Sequence, residues 1–233
     1  MSKTPLVLVP GLLTDDELFA PQVDALADVA DITIADVAND DSMEGFAARL
    51  LKDAPQRFAI AGLSMGGYIA QEVMRQAPER ITGLGLLDTN ARADRPEQQE
   101  ARRKYMERAE SGDFDIVCDE MWPMLVAPGR TGDEALKARV AAMAARVGVV
   151  GFLKQQEAII NRPDGRGDLS NVTVPALVLC GAEDQMTPPK VHQEMFDKLP
   201  DAQYVEIEGC GHLSTLEAPE KVNEAMRAWL ARL

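Results

Sequence analysis

The sequence predicts an α/β fold: a mostly parallel sheet of about six strands flanked by helices, with a helical lid inserted in it. Three observations carry that expectation. Short apolar, β-branched runs alternate with stretches of helical period. Several of those runs are apolar throughout, as strands covered on both faces must be. One long interval, from about 90 to 170, holds helical stretches and no convincing strand.

In chain order, the strands are expected over 5–9, 31–37, 57–63, 81–88, 176–180 and 203–207. Helices fit between them over 17–27, 42–53, 67–77, 189–198 and 216–230. Ser214 and Glu217 have capping-box spacing just ahead of the last helix. Within the strandless interval, 95–109, 113–125 and 150–160 read as helices. Leu136, Val140, Met143, Ala144 and Val147 add an apolar stripe at helical spacing. Asn161-Arg162-Pro163-Asp164-Gly165 stops that interval and turns the chain back towards a strand. The division that follows is a core of 1–89 and 171–233 and a lid of 90–170.

A chain of 233 residues can bury one sizeable core and a lid as well. Its 24 basic and 38 acidic residues leave a net charge of −14, which repels a phosphate backbone and argues against nucleic acid as a partner. The apolar run 6–9 ends at Pro10-Gly11, too short for a secretory segment, and no stretch nears the roughly 20 apolar residues of a membrane span. Cys118, Cys180 and Cys210 are odd in number and lack metal-ligand spacing, which suits a reducing compartment. The expectation is a cytoplasmic, metal-free monomer or homodimer acting on a small molecule.

Gly62-Leu63-Ser64-Met65-Gly66 follows an apolar strand and opens a helix. In that setting GxSxG reads as a nucleophile elbow: the serine sits on a sharp turn, and glycines two positions either side let neighbouring backbone approach. The segment lacks the lysine of a P-loop and the spacing of a dinucleotide fingerprint.

A serine hydroxyl needs a base, and the chain offers two histidines. His192 lies in a polar helical stretch and reads as solvent-facing. His212 lies in the glycine-flanked loop after the last strand, at the sheet end where α/β active sites form. Asp184, just after the fifth strand, is the leading carboxylate to orient it; adjacent Glu183 should point away. Asp88, ending the strand after the nucleophile, stays open as a rival. The oxyanion donors expected are the backbone N–H of Met65 at the helix start and that of Leu12, or next Leu13, in the loop after the first strand.

The segments LVPGLL, AGLSMGGYIAQE, LVLCGAEDQMTPP and GCGHLSTLEAPE together resemble the lid-bearing α/β-hydrolases: small carboxylesterases, enol-lactone hydrolases, carbon–carbon bond hydrolases and cofactor-free haloperoxidase-like proteins. The resemblance implies an α/β-hydrolase fold, a Ser64–Asp184–His212 triad, oxyanion donors at Leu12 and Met65, and ester-type hydrolysis with no cofactor. Two departures stand out. Pro10 occupies the position where the family usually has histidine, and the chain opens at what looks like the family's third strand. An all-parallel, six-stranded core is therefore expected.

In the lid, Met106, Met121, Trp122, Met124 and Met143 read first as packing and second as pocket lining. Arg92, Arg95, Arg102, Arg103, Lys104 and Arg108, interleaved with Glu97, Glu100 and Glu107, read as a solvated helix face; one of them is also a candidate to hold a substrate carboxylate.

Overall fold

The computed structural model describes residues 3–233. The chain runs β1 (Thr4–Val9), α1 (Ala20–Leu26), β2 (Ala30–Ile34), α2 (Met43–Asp53), β3 (Phe58–Leu63), α3 (Met65–Gln76) and β4 (Ile81–Leu87). Three long helices follow without a strand: α4 (Pro96–Arg108), α5 (Phe114–Leu125) and α6 (Glu134–Ile160). The chain then returns through β5 (Ala176–Gly181), α7 (Pro189–Phe196), β6 (Ala202–Ile207), α8 (Ser214–Glu217) and α9 (Pro219–Leu230).

The six strands form one all-parallel sheet in the order β2-β1-β3-β4-β5-β6, as expected. The two-residue period of each strand divides its side chains between two cores. Leu6, Leu8, Ala61, Leu63 and Leu179 point to one face, where Leu26 of α1 and Val222 and Trp229 of α9 cover them. Val7, Val9, Ile60, Leu86 and Val178 point to the other, against Phe46 of α2, Ile69 and Val73 of α3 and Met195 of α7. A third cluster joins Leu13, in the loop after β1, to Phe114 and Val117 of α5 and Phe152 of α6.

Register brings the carboxyl ends of the inner strands to one rim. Val9 pairs with Gly62, Leu63 with Leu87, and Leu87 with Leu179. The bonding continues one residue past the strands, with Ser64 N–H donating to Leu87 C=O at 3.0 Å and Asp88 N–H to Leu179 C=O at 2.8 Å.

Three expected boundaries moved. β2 ends at Ile34 rather than 37 because the chain leaves the sheet to meet α6, where the Gln155 amide donates to Val37 C=O. The stripe over 136–147 and the helix over 150–160 are one element, bent at Gly148 (φ 67°, ψ 175°). The last helix is two, because Pro219 supplies no N–H to continue α8. Ser214 and Glu217 do not form a capping box. Leu213 occupies the N-cap position, the Ser214 hydroxyl donates to Asp88, and Glu217 accepts the N–H groups of Ala127, Gly211 and Leu213.

Candidate active site

Ser64 sits between β3 and α3 with φ 55° and ψ −116°, a conformation that costs an L-residue energy and persists only where its surroundings enforce it. The glycines supply the enforcement. A Cβ on Gly62 would lie 2.1 Å from Gly66 C=O, and one on Gly66 would lie 1.9 Å from Val9 C=O. The turn therefore closes against the β1 backbone. Thr89 locks it from the other side, its hydroxyl donating to Ser64 C=O at 2.7 Å.

Among the described residues, non-glycine residues with positive φ are Leu13, Ser64 and Asp88. They follow β1, β3 and β4, so backbone strain concentrates at one rim of the sheet.

His212 and Asp184 meet there. His212 Nδ1–H donates to Asp184 Oδ2 at 2.8 Å, with both side chains buried. The loop after β5 fixes the carboxylate: Met186 N–H and Thr187 N–H donate to Oδ1 at 2.8 and 2.9 Å, and the Thr187 hydroxyl donates to Oδ2 at 2.7 Å. Burial alone would raise the Asp184 pKa, but His212 and Thr187 hold it below the ordinary value. Burial alone would lower that of His212, yet the paired Asp184 carboxylate raises it. With its proton on Nδ1, His212 keeps Nε2 free to accept another. Glu183 is exposed.

Among the described residues no hydrogen bond or ion pair joins Asp88 to His212. Asp88 is fully buried and accepts Gly181 N–H at 3.0 Å and the Ser214 hydroxyl. Burial and the nearby Asp184 charge push it well above the usual carboxylate range. Two carboxylates beside one imidazole are thus driven apart in acidity, and the imidazole pairs with the more acidic one.

His192 is buried, against the expectation of a solvent-facing side chain. Its Nε2 accepts Thr89 N–H at 2.8 Å, and its Nδ1 lies 3.4 Å from Pro188 C=O. It holds the residue that grips Ser64. Its own helix is polar, so nothing in the local sequence shows that the Thr89 amide lies above it.

Ser64 and His212 line one cavity of about 1020 Å³, counted with its open mouth. No hydrogen bond joins the Ser64 hydroxyl to His212 among the described residues. The loop after β1 also lines the cavity. There Leu13 N–H is committed to Gln155 Oε1 at 3.0 Å, whereas Leu12 N–H has no partner among the described residues. Met65 N–H, at the first turn of α3, is likewise unclaimed. Met121 and Trp122 line the cavity, Met143 packs in a core and Met124 is exposed. Among the described residues no cluster of His, Cys, Asp and Glu could hold a metal ion, and no helix is long and apolar enough to cross a membrane.

The comparisons with known proteins agree with this fold. A protein of Mycobacterium tuberculosis that carries a non-heme bromoperoxidase name is 29% identical over 206 residues, covering 76% of this chain and 69% of its own. A pimeloyl-[acyl-carrier protein] methyl ester esterase of Nitrosomonas europaea is 27% identical, covering 78% and 74%. A thermophilic esterase of Thermogutta terrifontis, solved with malate bound, superposes with a TM-score of 0.90 at 29% identity, covering 99% and 90%. The model of the alpha/beta hydrolase family matches residues 6–225, nearly the whole length, and the chain belongs to that family.

Proposed function

We propose that this hydrolase cleaves small carboxylic esters, lactones or thioesters through an acyl-enzyme, with Ser64 as nucleophile, His212 as base and Asp184 as the acid that orients it. The observation that carries the reading is the buried His212–Asp184 pair at the wall of the cavity that Ser64 also lines. The esterase relatives support the same class of substrate.

In the forward half-reaction, Ser64 Oγ adds to the acyl carbon while His212 Nε2 takes its proton. Asp184 stabilises the imidazolium that results. The negative charge on the carbonyl oxygen rests on the N–H groups of Leu12 and Met65, the latter aided by the positive end of the α3 dipole. The C–O bond then breaks, and His212 returns the proton to the departing alcohol. Water, deprotonated by the same imidazole, releases the acid and restores Ser64. These steps need no cofactor.

The helices over 90–170 serve as the lid, and their side chains on the cavity wall select the substrate. Ser64→Ala should abolish hydrolysis of p-nitrophenyl acetate and labelling by a fluorophosphonate while leaving the melting temperature near that of the wild type. Esterase activity retained in that variant would overturn the assignment of the nucleophile.

A further inference from the structure

The cavity is not uniformly apolar. Leu125, Val140 and Ile159 line part of it, but Tyr68, Asn90, Asp94, Arg102 and Arg162 line a continuous polar part. Asn90 Nδ2 donates to the Tyr68 hydroxyl at 3.1 Å, and the Arg162 guanidinium lies over the Tyr68 ring, 4.2 Å from its centroid. Arg162 and Arg102 then share a single carboxylate, Asp94, at 2.7 and 2.6 Å. The wall carries a second ion pair, Lys137 with Asp119, which balances itself. One positive charge is left over, in a molecule whose net charge is −14.

A cation held inside a protein without a counter-charge is costly, so such an excess favours an incoming anion. The arginines differ in what they have left to offer. Arg162 donates from Nε to the Arg92 carbonyl and from Nη1 to the Ile159 carbonyl, and its Nη2 pairs with Asp94 Oδ1 by charge, without a hydrogen bond. Arg102 spends Nε on Asp94 and Nη1 on Gln156, while its Nη2 has no partner among the described residues. Arg102 is also the most accessible of the three, with 18% of its side chain exposed against 5% for Arg162 and 1% for Asp94. The Tyr68 hydroxyl accepts from Asn90 and keeps its own proton to donate.

We propose that this wall is a carboxylate subsite: the preferred substrate is an ester whose acyl part ends in a second, ionised carboxyl group, held by Arg102 Nη2 and the Tyr68 hydroxyl. The proposal rests on the serine-hydrolase reading above. It adds a substrate class, the half-esters of dicarboxylic acids, and names two specificity-determining residues. A guanidinium with one edge fixed by Asp94 and Gln156 loses little freedom in holding a carboxylate, so recognition should appear mainly in KM.

The test compares monomethyl esters of four- to eight-carbon dicarboxylic acids with methyl esters of the matching monocarboxylic acids. In the wild type, kcat/KM for at least one half-ester should exceed that of its neutral partner tenfold or more. Arg102→Met should lower that ratio at least tenfold, Arg102→Lys by less, and Tyr68→Phe a few-fold, mainly through KM. The Lys and Phe variants carry the test if the Met variant does not fold. A ratio near one in the wild type, or one unchanged in all the folded variants while neutral esters are cleaved, overturns the carboxylate subsite alone. No turnover of either series, with no fluorophosphonate labelling of Ser64, overturns the hydrolase reading and this subsite with it.

Discussion

His212 and His192 are both buried at the same rim, yet their surroundings move them in opposite directions. Asp184 raises the pKa of His212 above its ordinary value, and a base must be unprotonated to act. The acidic limb of the kcat/KM profile should therefore lie above pH 6.5. Asp184→Asn should cut kcat by about 10⁴-fold and shift that limb to lower pH, checked with any ester that the wild type cleaves. Among the described residues His192 pairs with no carboxylate, and burial pushes it down to about 4, with the Asp184 charge opposing and the His212 charge assisting. A histidine whose pKa is depressed by folding binds its proton more readily in the unfolded chain, so its share of stability falls as pH drops below 6.5. Between pH 7 and 5.5 the stability advantage of wild type over His192→Gln should shrink by about 1 kcal/mol in urea titrations. Sequence showed the histidine of the loop after β6, because glycines mark that loop and a strand precedes it. It hid the role of His192, which depends on Thr89, some hundred residues earlier in the chain.

The elbow between β3 and α3 is the element whose shape was most legible, because its constraint is a collision and glycine is the residue that avoids it. Gly66→Ala would drive a methyl group into the Val9 carbonyl and push β1 from its place. The expected result is a loss of 2 kcal/mol or more, on the order of a severe overpacking defect, with loss of fluorophosphonate labelling. Inner strands were legible within a residue or two, since a run apolar on both faces has few other places to go. Element ends were less so. The capping-box spacing of Ser214 and Glu217 described a local pattern, whereas Ser214 serves Asp88 at the end of β4 and Glu217 divides its carboxylate between the nearby Gly211 and Leu213 amides and the Ala127 amide beyond α5. Arg102 was among the candidates for a substrate carboxylate but could not be singled out, for a related reason. Its neighbours on α4 are solvated, Lys104 pairing with Glu100 and Arg108 with Glu120, and only the fold shows that Arg102 turns inward to Asp94.

Across the whole molecule, close packing has shut the thiols away from chemistry. Burial pushes Cys118 up to about 11 and Cys180 up to about 12, and it raises Cys210 as well. Thiolate is the reactive form, so Ellman's reagent at pH 7.5 should titrate at most one thiol, Cys118, in the native protein and all three in guanidinium chloride. The same packing binds the helical layer to the sheet through Gln155, whose side chain bridges Leu13 N–H and Val37 C=O. The amide it holds is next door to the Leu12 donor, and residue 13 keeps its left-handed twist at φ 58° while that bond is made. Swinging the helices outward would snap the bridge and let that twist unwind. The docking of the helices on the sheet and the shape of the loop beside the Leu12 amide thus hang on one side chain.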